Sequence, residues 1–268
     1  MGSELRVKEV ITRNPLSVGE DDLATKARSL FRRHGYRSLP VVSKRGELIG
    51  IITSRDILNI TSARSNILVS GLMSIPLVVT TEDEDVRVLA GKLISAEVSV
   101  SPVVEGTGGR KLVGLVSVID IIKGFLDSGT KPGKRLVKDI MSGEVTVCSP
   151  VDEISRIWKM MERMGYTGIP VVKGKRIVGM ITRGDIIKSG FARIEREDEK
   201  GSSKRSSLVE KVMHTPAITV TPDTEVNDVA IMILNRRIGR LPVIKKIGKS
   251  GVELVGIVDR IDILKAFI

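Results

Sequence analysis

The sequence predicts an α+β protein made of four β-α-β-β-α units. Three observations predict it. A short string, Gly, two apolar residues, usually a hydroxyl, two variable residues and then Asp, is written four times: Gly50 to Asp56, Gly114 to Asp120, Gly179 to Asp185 and Gly256 to Asp262. The closing Asp recurs at intervals of 64, 65 and 77 residues. A proline-marked strand start precedes each string, at Leu39-Pro40, Ser101-Pro102, Ile169-Pro170 and Leu241-Pro242. A repeat of this length fixes the architecture before any single element is assigned.

In the first copy, Val7 to Ile11 reads as a short helix that stops before Asn14-Pro15, because proline disfavours helix in the residue before it. Leu16-Ser17-Val18 alternates like a strand. Asp21 or Asp22 is expected to cap a helix whose apolar positions are Leu23, Ala27, Leu30 and Phe31, and Gly35 to stop it. Leu39 to Val42, the turn at Ser43 to Gly46, and Leu48 to Thr53 make a hairpin. Asp56 opens a closing helix through Ile57, Leu58 and Ile60.

The second copy repeats this order, with a strand at Val78 to Thr81, a helix at Val86 to Ile94, a hairpin, and a helix from Ile119 to Leu126. Asp127 to Arg135, with two glycines and a proline, reads as a linker. The lead-in of the third copy, Val137 to Met141, resembles that of the fourth, Val209 to Met213. Ile154, Ile157, Trp158 and Met161 lie at helical spacing and are expected in the core. Glu195 to Ser207 is charged, lacks periodicity and reads as a mobile loop. The expected boundaries are 1–64, 65–128, 136–192 and 208–268, paired as modules 1–128 and 136–268.

Composition narrows the function classes. With 41% hydrophobic and 28% charged residues over 268 positions, the chain reads as a globular, cytoplasmic protein. No apolar run reaches the length of a membrane span, and no signal peptide opens the chain. One cysteine, Cys148, allows no intramolecular disulfide and reads as a buried thiol. The two histidines, His34 and His214, lack metal-ligand spacing and read as loop or helix-end residues. A net charge of +11 attracts polyanions, but the charge is scattered and aromatics are only 3%. No P-loop, HExxH, GxSxG, kinase or paired Cys/His motif supports an enzyme, and no helix-turn-helix or zinc motif supports nucleic-acid binding. Charge density and the absence of glutamine suit a thermophile.

These four strings with their proline-marked strands resemble the cystathionine β-synthase (CBS) domain family over nearly the whole chain. The resemblance implies that copies pair about a pseudo-twofold into modules with two clefts, and that two modules stack as a disc, as in the nucleotide-sensing subunit of AMP-activated kinase. It implies a regulatory, non-enzymatic role with AMP, ADP or ATP as ligand, no required cofactor and a separate regulated protein. S-adenosylmethionine or methylthioadenosine is the alternative ligand, and nucleic acid on the basic surface the alternative partner. A second copy of the chain stays open as a partner.

The implied site residues follow from the string. Asp56, Asp120, Asp185 and Asp262 would accept hydrogen bonds from ribose hydroxyls, with Thr53, Ser117 and Thr182 beside them on ribose or phosphate. An Asp there also serves as a plain helix cap. Copy four carries Asp259 in place of the hydroxyl, so a phosphate is not expected there. Arg37, Arg55, Arg183 and Arg240 stand where relatives contact phosphate, and copy two has no such arginine. Tyr36, Val98, Tyr166 and Ile238, each four residues before its proline, would line the adenine. Backbone near Asn14, Ile75, Gly143 and Pro216 would bond it.

Overall fold

The structure, a computed structural model, describes residues 5–58, 66–106, 108–189, 207–248 and 251–268. The expected loop from Glu195 lies outside them except for Ser207, as does Ile60 of the first closing helix. The chain divides into two units, Met1–Gly133 with Ile263–Ile268, and Lys134–Asp262.

The first unit holds copies one and two. Copy one runs α1 (Val7–Val10), β1 (Thr12–Arg13), β2 (Val18–Gly19), α2 (Ala24–His34), β3 (Ser38–Val42), β4 (Leu48–Thr53) and α3 (Ser54–Leu58). Copy two runs β5 (Thr80–Thr81), α4 (Val86–Ser95), β6 (Val100–Val104), β7 (Leu112–Ser117) and α5 (Val118–Asp127). β2 pairs parallel with β3, and β3 antiparallel with β4. β5, β6 and β7 repeat that arrangement, and β1 adds itself antiparallel to β7. Strand β1 belongs to copy one by sequence but to the sheet of copy two by pairing.

The second unit holds α6 (Ile154–Met164), β8 (Gly168–Lys173), β9 (Arg176–Thr182) and α7 (Arg183–Lys188), then α8 (Val226–Arg236), β10 (Arg240–Ile247) and β11 (Gly251–Asp259). The strand before each helix shrinks here to one parallel bridge, Cys148 to Val171 and Val220 to Val243. α9 (Arg260–Phe267) begins in this unit, but its last residues cluster with the first. There the Phe267 ring stacks on Phe125 at 5.7 Å, and the Arg87 guanidinium sits 5.3 Å above Phe125 and donates to the Phe267 carbonyl.

Periodicity explains the packing. Ala24, Ala27 and Phe31 on one face of α2 are buried with Val18, Leu39, Val41, Ile52 and Ile57. Val69 belongs to the same core although it lies in the lead-in of copy two. Trp158, Met161, Ile154 and Ile157 are buried, as their spacing predicts. One local expectation fails. Neither Asp21 nor Asp22 caps α2, whose N-cap is Leu23 without a side-chain bond. The Asp22 carboxylate instead accepts from the Gly19 N–H at 2.7 Å and from Lys26 at 2.7 Å, while Asp21 pairs with Lys44 at 3.1 Å. The α2 entry is fixed through the backbone, by Ala24 N–H donating to the Ile67 carbonyl at 2.9 Å. Gly35 ends the helix in the left-handed conformation, as expected.

The lead-ins cross between partners. Ile51 and Ser74 exchange both backbone hydrogen bonds, at 2.8 and 3.0 Å, so the lead-in of copy two lies on β4 of copy one. Thr12 pairs with Leu115 in the reverse direction. In the second unit Met180 pairs with His214 and Ile257 with Ser142. The string glycine is the residue before each crossing. A Cβ on Gly179 would lie 2.5 Å from the His214 carbonyl oxygen, and one on Gly50 would lie 2.6 Å from the Met73 sulfur. Close backbone approach is the reason for glycine at Gly179, whereas at Gly50 the space is taken by the Met73 side chain.

Candidate functional site

The first three strings end in the same local device. The Thr53 N–H and hydroxyl both donate to Asp56 Oδ2, at 2.7 Å each. Ser117 does so to Asp120 Oδ2 at 2.8 and 2.6 Å, and Thr182 to Asp185 Oδ2 at 2.9 and 2.6 Å. The hydroxyl oxygens of Ser117 and Thr182 accept in turn from the Asp120 and Asp185 N–H groups. This reciprocal capping box ends a strand and starts a helix within one residue. It saturates one carboxylate oxygen and leaves the other directed elsewhere.

Copy four solves the same problem differently. Asp259 replaces the hydroxyl and accepts from the N–H groups of Ile261 and Asp262 at 2.8 and 3.3 Å. Its own N–H donates to Asp262 Oδ2 at 2.9 Å. Arg240, mostly buried, lies 3.5 Å from the other Asp259 oxygen and donates to the Gly168 carbonyl at 2.9 Å. Burial holds its guanidinium below its ordinary value, against the opposing effects of Asp259, Asp262 and Tyr166. Arg240 is thus balanced by Asp259 within its own copy.

The remaining arginines divide into two groups. Arg37 and Arg55 are exposed beside the first box, where the Arg37 carbonyl accepts from the Ser54 N–H at 2.9 Å. Arg183 donates instead to the Met161 carbonyl near the end of α6. Arg260 was not singled out from the sequence. It holds the same place in its string as Arg183 and donates through Nε and Nη2 to the Ile238 carbonyl, at 3.2 and 3.0 Å. The shared place in the string was the signal that could have found it.

The four residues expected at the adenine differ in surroundings. Tyr36 is exposed and stacks on His34 with centroids 5.5 Å apart. Tyr166 is half-buried, and its hydroxyl accepts from Thr146 at 3.4 Å. Val98 and Ile238 are half-buried. Val98 N–H donates to the Leu93 carbonyl at 3.1 Å.

The crossings bring a residue of the partner copy onto the strand that leads into each box. Ser74 crosses beside the Asp56 box, Thr12 beside Asp120, and Ser142 beside Asp262. His214 crosses beside Asp185, and its Nε2 lies 2.7 Å from Asp185 Oδ1. Asp185 is one of the few buried polar residues, whereas the His214 side chain is 74% exposed. No periodicity or local motif marks this contact, which joins residues of two copies. Among the described residues no hydrogen bond reaches Oδ1 of Asp56 or Asp120. Cys148 is buried, and burial together with nearby Asp152 pushes its thiol up to about 12. No helix among the described residues is long and apolar enough to cross a membrane.

Comparison with known proteins agrees with the repeat and the fold. The CBS domain family model matches four times, over residues 7–62, 69–127, 137–191 and 209–268. The uncharacterized protein MJ1225 of Methanocaldococcus jannaschii is 25% identical over 263 residues, covering 90% of this chain and 91% of that one. Its crystal structure, titled as that of a proposed archaeal homologue of γ-AMPK, superposes with a TM-score of 0.82 over 98% of this chain and all of that one, at 23% identity. A conserved protein from Pyrococcus horikoshii superposes with a TM-score of 0.70, also at 23% identity, over 98% of this chain and all of that one. The uncharacterized protein MJ1404 of Methanocaldococcus jannaschii is 29% identical over 267 residues, which are 97% of this chain and 61% of that one. The chain is therefore a member of the CBS-domain family carrying four copies of the repeat.

Proposed function

We propose that the chain is a non-enzymatic regulatory module that binds adenine nucleotides (AMP, ADP or ATP) in the clefts between paired repeats. The observation that carries this is the state of Asp56 and Asp120. Each carboxylate is oriented by a hydroxyl and an N–H on Oδ2. Each keeps Oδ1 without a hydrogen bond among the described residues. A carboxylate oxygen accepts two hydrogen bonds, which suits the adjacent hydroxyls of a ribose. Arg37 and Arg55, exposed beside the Asp56 box, suit the attached phosphates. Arg183 and Arg240 would have to leave or share their carbonyl partners to contact phosphate.

Asp120 has no arginine in its string or before its proline. With Arg13 of the crossing lead-in already bonded to Glu82, that neutrality favours a less anionic adenosine derivative in the second cleft, such as S-adenosylmethionine or methylthioadenosine. Asp259, already paired with Arg240, argues against phosphate at the fourth. Binding would bias the packing of paired repeats and so signal to a separate partner protein.

Calorimetric titration with AMP, ADP, ATP and S-adenosylmethionine tests this. Asp56→Asn keeps the capping acceptor and is expected to weaken AMP binding at the first cleft at least tenfold. Unchanged affinity in that variant, or no binding of any of the four ligands, overturns the proposal. Binding of RNA that falls steeply with added salt, without AMP binding, would point to the basic surface instead.

A further inference from the structure

The four crossing positions are equivalent by backbone pairing, and they hold Thr12, Ser74, Ser142 and His214. Three are small hydroxyl residues, and one is an imidazole long enough to reach the box it crosses. Its Nε2 contacts the oxygen of Asp185 that the capping box leaves over. A carboxylate only accepts, so Nε2 carries the proton and donates.

We propose that His214 is the residue that sets the third cleft apart: it occupies the ribose-facing oxygen of Asp185, so a nucleotide enters that cleft only by displacing the imidazole. The proposal rests on the nucleotide-binding reading given above and adds a rank order to it. The Asp56 cleft fills first, and the Asp185 cleft fills only at higher nucleotide concentration.

The geometry separates what is fixed from what can move. The His214 backbone is fixed by exchanged bonds with Met180 at 2.8 and 2.9 Å, and by the Thr215 hydroxyl donating to the Val178 carbonyl at 2.8 Å. The ring is 74% exposed, so rotation about its side-chain bonds carries it into solvent without disturbing that backbone. Asp185 itself is held by Thr182 and stays in place when the ring leaves. Ligand and ring therefore compete for one oxygen, and apparent affinity is the intrinsic affinity multiplied by the fraction of time the ring is away.

The test uses the full chain with Asp56→Asn and Asp120→Asn, which leave Asp185 as the ribose-binding box under study. In that background His214→Ser, which restores the residue type of the other crossings, is expected to tighten AMP binding about tenfold. Adding Asp185→Asn is expected to abolish the gain. The chain has two histidines, so ring signals from uniformly ¹⁵N-labelled histidine are assigned with His214→Ser alone. Addition of AMP is expected to move the His214 Nε2 signal from a bonded to a free position and to leave His34 unaffected in the same background. Equal or weaker AMP binding in His214→Ser, or a His214 ring that stays bonded while the Asp185 cleft is saturated, overturns the proposal alone. Absence of AMP binding in the wild type and in every variant overturns it together with the functional reading.

Discussion

The boxes of Asp56 and Asp185 are built from nearly the same words. Both strings read Gly, two apolar residues, Thr, two residues including an Arg, and Asp. Both boxes close on Oδ2 through a hydroxyl and an N–H. They part company at a residue that neither string contains: Ser74 crosses the first and His214 the second. The surroundings of a box are therefore set in two places, its own string and the lead-in of the partner repeat. Reading either alone gives the wrong inventory of what faces the carboxylate.

The crossings themselves can be broken by single methyl groups, and unequally. Gly179→Ala brings a Cβ to 2.5 Å from the His214 carbonyl oxygen, a backbone atom held in a strand pair. Gly50→Ala meets the Met73 sulfur at 2.6 Å, the end of a side chain that can turn away. Urea denaturation is expected to show about 3 kcal/mol lost in the first and about 1 kcal/mol in the second. Equal losses would mean that the two lead-ins are held alike.

Copy four can be made to resemble copy one by Asp259→Ser. The hydroxyl still caps α9, but Arg240 loses its counter-charge while remaining mostly buried. The expected cost is about 2 kcal/mol, part of which returns on adding Arg240→Met. No loss on Asp259→Ser would show that Arg240 needs no carboxylate.

Cys148, the one cysteine of the chain, adds an alkaline limb to the stability of the second unit. Its folded pKa is raised from 9.0 to about 12, so the neutral thiol stabilises the fold fully below pH 9. That stability is lost as pH rises from 9 towards about 12, at up to about 1.4 kcal/mol per pH unit. Unfolding of Cys148→Ser is expected to depend less on pH across that window than unfolding of the wild type.

The smallest effect has the opposite sign. Gly35 and Gly165 take φ values of 69° and 72° after their helices, while Arg237 takes φ 54° at the equivalent place in copy four. Arg237→Gly is expected to raise stability by about 1 kcal/mol in thermal unfolding, where Gly165→Ala lowers it by a similar amount.

Local chemistry was legible in advance. Alternation, helical spacing and turn residues placed the hairpins at Pro40, Pro102, Pro170 and Pro242 and the helices on either side of them. At the first three closing helices a hydroxyl and an Asp three residues apart were visible, though not the hydrogen bond between them. The cap of α2 was not, because a backbone bond to Ile67 takes the place of the aspartate cap the sequence suggests. The His214 contact was not either, since its partner stands 29 residues earlier and the lead-in must cross between copies to reach it. Arg183 and Arg240 show the same limit. Sequence marks a guanidinium as available to an anion, but the carbonyls of Met161 and Gly168 that engage it come from other elements.

One consequence follows for how such a chain can change over time. Because Thr12 and Arg13 finish the sheet of the second copy, and Val69 fills the core of the first, removing one copy would strip its neighbour of an edge and of a core side chain. The smallest piece that duplication or deletion can handle intact is therefore a pair. Divergence within a pair has to proceed jointly, as a histidine in one member and the aspartate it touches in the other illustrate.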